Sequence, residues 1–250
     1  MRTASFRFYA GLNDFLSPVH RSRDFQHTFN DDQSIKHLVE SLGVPHTEVE
    51  LILVNGESVD FSHQLQDEDR VSVYPRFKSF DLTDVSLVRP PETRPFTFIV
   101  DNHLGKLAAH LRMLGLDTLY QNNFQDNKLA QLSNQLQRVL LTRDQDLLKR
   151  RIVTYGYWVR EKDPHRQLVE VLERFDLFAA IKPFTRCLQC NGLLAPVSKD
   201  EILHRLEPKT RLYYNRFASC TACEQIFWQG SHWEDMQRFI DNLEKELLNG

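Results

Sequence analysis

Hydrophobic positions along the chain repeat with two different periods, and the switches between them divide it into three parts. Near the N-terminus ASFRFYA alternates apolar and polar residues, as a half-buried strand does. After a polar stretch, SIKHLVESLGVP places Ile35, Leu38, Val39 and Leu42 on one face of a helix that Gly43 and Pro45 stop. ELILVNGE and RVSVYP read as strands, the first closed by Asn55-Gly56, a pair that suits a tight hairpin because both residues tolerate positive φ. This order predicts an α+β unit over residues 1–77.

From Phe96 whole elements alternate. The strands FTFIV, TLY, RVLLT and RIVTYGYWV are separated by three segments: a helix with Leu104, Leu107, Leu111 and Leu114 on one face, a helix opening after Asp126, and a short DLLKR turn. A helix opened by Asp163-Pro164 follows. Such alternation implies right-handed βαβ units and a mostly parallel sheet covered on both faces, an α/β domain over 95–183. Residues 78–94 lack a sustained period and contain Pro90-Pro91, which predicts a linker. The remainder, 184–250, is short-looped and ends in a helix with Ser231 and Glu234 as a capping box and Met236, Phe239, Ile240, Leu243 and Leu247 inward.

Chemistry enters at the ends of the strands. Asp101 follows FTFIV directly and Asp144 lies two residues past RVLLT, so both belong at the rim where parallel sheets collect ligands. Asp126 follows TLY in the loop that opens a helix, and Asp146 stands beside Asp144. Hard ions such as Mg²⁺ or Mn²⁺ take carboxylate oxygens and suit phosphodiester cleavage. The pattern therefore predicts a Mg²⁺ or Mn²⁺ site on Asp101 and Asp144, with Asp126 and Asp146 as further catalytic carboxylates. Asp126 suits a helix N-cap equally well, and Asp146 a solvated first turn. Asp117 precedes its strand, enters at the opposite rim and reads as structural, with Arg112 as its partner. Lys106 and Arg143 flank the rim and suit RNA phosphates, although Lys106 also reads as a solvated helix position.

The four cysteines form two Cys-x-x-Cys pairs, Cys187 with Cys190 and Cys220 with Cys223, separated by 29 residues. Two tight turns supplying two thiolates each predict a closed, structural Zn²⁺ site. Neither a signal peptide nor a membrane span is recognisable, so a reducing, cytoplasmic setting is expected. Between the pairs lie Lys199, His204, Arg205, Lys209, Arg211 and Arg216, with Tyr213, Tyr214 and Phe217, against Asp200, Glu201 and Glu207. Basic and aromatic residues interleaved in this way suit RNA, with Arg205 and Arg211 as candidates; a hairpin whose aromatics cover a thin core is the other reading. The net charge is −3, but residues 1–77 hold 7 Lys and Arg against 12 Asp and Glu, so the remainder is slightly positive. A phosphate-binding surface is expected outside the first segment.

Two stretches resemble known families. LILVNGESVD followed by LQDEDRVSVYP resembles the ubiquitin-like β-grasp fold of small sulfur carriers of the ThiS and MoaD type. Those carriers need a free C-terminal Gly-Gly; here the matching position reads Pro75-Arg76-Phe77, which leaves regulation or binding of a protein partner. VDNHLGKLAAHLRMLGLDTLY, LLTRDQDLL, FTRCLQCNGLL and CTACEQIFWQGSHWEDM resemble the Mut-seven C-terminal RNase family, a PIN-like nuclease domain with a zinc ribbon. The resemblance implies a metal-dependent ribonuclease with Asp101, Asp126 and Asp144 as acidic positions and Gly105, Lys106, Arg112 and Arg143 at neighbouring motif positions. PIN domains usually add a glutamate from a mid-sheet helix, and none lies between Asp101 and Asp144. RNA hydrolysis is the expected activity. The alternatives are a non-catalytic RNA-binding adaptor, and a DNase or other phosphoesterase on the same rim.

Overall fold

A computed structural model describes residues 1–30, 33–77, 82, 84–91 and 94–249. Along the chain, β1 is Arg2–Phe8, β2 Phe25–Phe29, α1 Ile35–Ser41, β3 Val49–Val54, β4 Glu57–Ser58, β5 Arg70–Pro75, β6 Phe98–Val100, α2 Gly105–Met113, β7 Thr118–Leu119 and α3 Asp126–Gln135. There follow β8 Val139–Thr142, α4 Gln145–Leu148, β9 Gly156–Trp158, α5 Pro164–Phe175, β10 Leu194–Val197, α6 Lys199–Ile202, α7 Pro208–Tyr213, β11 Phe217–Cys220, β12 Ile226–Trp228 and α8 Ser231–Asn249. These elements form two compact units, Met1–Asp101 with Phe124–Arg160, and Asn102–Asn123 with Glu161–Gly250.

In the first unit a mixed sheet has the order β2-β1-β5-β3-β4, with β1 parallel to β5. This is the β-grasp ordering. Alternation in β1 turns Ala4, Phe6 and Phe8 inward against Ile35, Leu38 and Val39 of α1, whose N-terminus Ser34 caps by accepting from the His37 N–H. Asn55 and Gly56 have φ of 52° and 95°, as the hairpin requires. Strand β2 was hidden in the polar stretch; Phe29 is buried and Phe25 half-buried while Gln26 and Thr28 face out. Of the expected linker, Val88 enters the β-grasp core, Ser86 donates its hydroxyl to the Glu50 carbonyl and Arg89 donates to the Thr47 carbonyl. Residues 78–81, 83, 92 and 93 lie outside the described ones.

The same unit contains β6, β8 and β9, parallel and in that order, with Val100 opposite Leu141 and Leu141 opposite Tyr157. β6 and β8 are buried throughout, as strands covered on both faces are. The run RIVTYGYWV is strand only over Gly156–Trp158; its first half continues a turn out of α4, in which the Val153 N–H donates back to the Arg150 carbonyl and Ile152 is exposed. Residues 46–48 of the β-grasp segment lie along the outer edge of β9. The Glu48 carboxylate accepts the Trp158 backbone N–H at 2.6 Å, and His46 Nε2 meets the Val153 carbonyl at 2.8 Å.

In the second unit α2 packs on α5, and β10-β11-β12 form an antiparallel sheet over a small core of Ile202, Leu206, Phe217 and Ile226. Ile240 and Leu243 of α8 are buried as the helical stripe requires; the side chain of Leu247 lies outside the described ones. The expected capping box is not seen among the described contacts: α8 starts at Ser231 rather than after it, and the Glu234 N–H donates to the carbonyl of Gly230 as in any helical turn.

Candidate active site and metal centre

The ladder between β6 and β8 runs one residue beyond β6, because the Asp101 N–H donates to the Leu141 carbonyl at 3.0 Å. This fixes the Asp101 side chain beside the last residue of β8, Thr142, which is fully buried. The Thr142 hydroxyl donates to Asp101 Oδ2 at 2.7 Å and accepts the Asp144 backbone N–H at 3.0 Å. A single buried hydroxyl thus joins the two strand-end aspartates. Asp144 in turn caps α4, its Oδ1 accepting from the N–H groups of Asp146 and Leu147 at 2.8 and 3.3 Å.

Asp101 is 4 % exposed, yet no described cation pairs with it and the Thr142 hydroxyl is the described side-chain donor to its carboxylate. A buried carboxylate in that state is costly unless a positive charge completes the site. The other two expected carboxylates are engaged elsewhere. Asp126 is the first residue of α3, not its cap, and pairs with Arg150 at 3.3 Å, which also bonds Asn127. Asp146 is solvated and lies 3.6 Å from Lys149. Among the described residues no third ligating side chain joins Asp101 and Asp144. Arg143 donates to the Arg160 and Val159 carbonyls at 3.0 and 3.4 Å, so its guanidinium leans on the end of β9. Lys106 is an exposed position of α2 in the second unit.

The four cysteines do converge, with all four Sγ atoms within 4.8 Å of one another. Cys187 lies 3.7 Å from Cys223 and Cys190 lies 3.4 Å from Cys220. A tetrahedral Zn²⁺ with bonds of about 2.3 Å spaces its sulfurs about 3.8 Å apart, so the quartet fits that ion. The two turns are built alike. In each, the first cysteine's carbonyl accepts from the residue four positions on, Asn191 or Glu224, and both of those have positive φ. In each, the first cysteine's N–H donates to the following carbonyl, of Gly192 or Gln225. Gly192 is obligatory, since a Cβ there would stand 2.8 Å from Cys220 Sγ and 2.9 Å from Ala222. Burial pushes the Cys187 thiol up and the Cys190 thiol up to about 12. At Cys220 burial is outweighed by the N–H groups of Cys223 and Ala222, which bring it down to about 7.

The Asp117 charge supports that of Arg112, but the hydrogen bonds of Arg112 go elsewhere. Arg112 is 3 % exposed and donates to four carbonyls: Thr118 and Tyr120 in its own region, and Leu188 and Gln189 inside the first cysteine turn. Asp117 instead pairs with Arg186 at 3.1 Å and accepts from Asn191. Arg205 donates to the Glu224 carbonyl and Arg211 to those of Leu203 and Leu206, so both expected RNA contacts are partly spent on holding the ribbon together.

The Mut7-C RNAse domain family matches residues 96–240, more than half of the chain. The chain belongs to that family. The Mut7-C segment takes in both strand-end aspartates and both cysteine turns, and a second family, Mut7-C ubiquitin, matches residues 1–81. No curated protein matches the chain. Among solved structures, SAMP1 from Haloferax volcanii aligns over 31 % of this chain and 99 % of its own at 14 % identity, with a TM-score of 0.25. The β-grasp reading therefore stands on the sheet order and the Mut7-C ubiquitin match. No helix among the described residues is long and apolar enough to cross a membrane.

One participant had little signal in the sequence: Thr142 is marked only by being the one hydroxyl in the run VLLT. Arg112 stood at a position of the family motif, but nothing local pointed to the carbonyls it holds.

Proposed function

We propose that the chain is a metal-dependent ribonuclease that hydrolyses RNA phosphodiester bonds at the rim formed by Asp101, Thr142 and Asp144. The observation that carries this is the buried Asp101 carboxylate with no described cation beside it, at the carboxyl end of a parallel strand in an RNase-family domain. Asp101 and Asp144 would hold Mg²⁺ or Mn²⁺, which when bound supplies Lewis-acid stabilisation of charge on the phosphate oxygens. Thr142 orients Asp101 and ties it to the start of α4. Asp126 and Asp146 contribute negative charge at the margin and solvated outer contacts, and Asp126 is restrained by Arg150. Cys187, Cys190, Cys220 and Cys223 would hold a structural Zn²⁺, a role consistent with reduced thiols in a cytoplasmic setting. The functional layout we propose follows 1–77 as partner-binding or regulatory, 95–183 as the nuclease and 184–250 as ribbon and helix.

The test is incubation of RNA with the full chain and Mn²⁺ or Mg²⁺, comparing wild type with Asp101→Asn and Asp144→Asn. Loss of charge stabilisation worth several kcal/mol predicts a fall of at least about 10²-fold in either variant, with the thermal midpoint of the metal-free protein kept. Full activity in either purified variant overturns the assignment. One observation favours a non-catalytic RNA-binding reading, the lack among the described residues of a third ligating carboxylate at the rim. RNA binding without cleavage under every divalent ion tried would decide for it, and a parallel DNA substrate separates a ribonuclease from a DNase.

A further inference from the structure

We propose that α7 of the ribbon insert is a docking platform for unpaired RNA, with Tyr213 stacking on a base and Lys209 and Arg216 contacting the flanking phosphates. The choice of ligand rests on the ribonuclease reading, whereas the platform itself rests on the following observations. Tyr213 and Leu212 are 70 % and 71 % exposed, side by side, on a ribbon that has few apolar residues to spare. The ribbon core is complete without them: Ile202, Leu206, Phe217 and Ile226 fill it, and Val197 and the neighbouring Tyr214 pack on it, with the Tyr214 ring 6.4 Å from that of Trp228. Covering the core therefore accounts for Tyr214 and Phe217 and leaves Tyr213 unexplained.

Thr210 is the buried residue of α7, whereas Lys209 and Tyr213 are both exposed. Lys209 sits one turn before Tyr213, since positions four apart share a helix face. Arg216 follows just beyond the helix end and is exposed. None of the side chains of Lys209, Tyr213 and Arg216 makes a hydrogen bond or ion pair with any described residue. The other lysine and arginines of the insert differ in this respect: Lys199 bonds Asn215, Arg205 bonds Glu224 and Arg211 bonds two carbonyls. Two uncommitted cations around an uncommitted aromatic ring match a single strand, which offers phosphates and open base faces together. A duplex hides those faces, and an acidic peptide answers the cations but not the ring.

The test measures binding of labelled oligouridylate to full-length Asp144→Asn protein, in which cleavage is suppressed. Tyr213→Ala should weaken binding about tenfold or more, Tyr213→Phe should bind within about twofold of the parent, and Leu212→Ala should fall between, with zinc content and helical circular dichroism unchanged. Lys209→Ala with Arg216→Ala should flatten log K against log salt by about 1.4, at about 0.7 per single-strand phosphate contact. Duplex RNA of matched length should compete poorly. Normal binding by Tyr213→Ala, no binding by the parent, equal competition by duplex RNA, or displacement by polyglutamate at matched charge each overturns the platform; the last points to an acidic protein partner. The two readings fail separately. Cleavage that survives Asp144→Asn sinks the nuclease assignment and leaves the stacking data intact, while wild-type cleavage with unaltered Tyr213→Ala binding sinks the platform alone.

Discussion

Thr142 shows how one side chain can set the geometry of a rim. Its hydroxyl is buried and serves two aspartates at once, donating to Asp101 and accepting from the Asp144 backbone. Valine has almost the same shape, so Thr142→Val removes both hydrogen bonds without opening a cavity. It leaves a buried carboxylate without its donor, a cost of about 1–3 kcal/mol. Urea unfolding should register that loss, RNA cleavage should fall, and Thr142→Ser should recover most of both. A valine variant as stable and active as wild type would mean that Asp101 is positioned by something other than Thr142. The two strand-end aspartates were legible in the sequence because strand ends and loop order are local features. What Asp126 does was not, because its partner Arg150 lies 24 residues away and no local pattern predicts that pair.

At the scale of elements, the cysteine turns were readable from spacing, whereas what holds them was not. Arg112 sits on α2, and its guanidinium reaches the Leu188 and Gln189 carbonyls, 76 and 77 residues away. Asp117, five residues on, looked the natural partner, but a carbonyl carries no sequence mark and the fork of an arginine fits several at once. The burial of Arg112 beside Cys187 and Cys190 lowers its own pKa, and the thiols' charge works the other way. A tetrathiolate zinc site carries excess negative charge, so with zinc bound Arg112 would offset that charge as well as shape the first turn. Arg112→Met should speed zinc loss to a chelator by about 10- to 100-fold, the usual reach of an outer contact on metal affinity, and Arg112→Lys should rescue little because a point charge cannot bridge four carbonyls. Zinc retention equal to wild type in both variants would remove Arg112 from the site. The over-long strand RIVTYGYWV failed for a related reason: its β-branched residues suit a strand, but the turn leaving α4 takes up the first half.

On the scale of the whole molecule, the β-grasp segment is bound into the first unit through three polar residues. His46, Thr47 and Glu48 are all buried, with Glu48 1 % exposed. Arg160 lies against the rings of Phe15, Tyr157 and Trp158, donates to Asp14 at 2.9 Å and stands 3.8 Å from Glu48. Burial works against the Arg160 charge, and Glu48 with Tyr157 and Asp14 more than offset it. The net charge of the first segment places the expected phosphate surface outside it, but the segment is still needed for the packing of the first unit. Deleting residues 1–77 strips Arg160 of Asp14, Gly11 and Glu48, takes the acceptor from the Trp158 N–H and bares an edge strand, which invites aggregation. The truncated chain should therefore be poorly soluble. A finer test is Glu48→Ala, which breaks a buried pair at a cost of about 3–5 kcal/mol, set against Glu48→Gln, which keeps an acceptor for Trp158 and should lose less. Because Asp14 still holds one side of Arg160, the loss should lie at the lower end of that range. Adding Arg160→Met to Glu48→Ala should cost less than the two single losses together, since the charge stranded by the first change is removed by the second. Strict additivity in that cycle, or a soluble truncation as stable as the parent, would show that the two segments do not depend on each other through this contact.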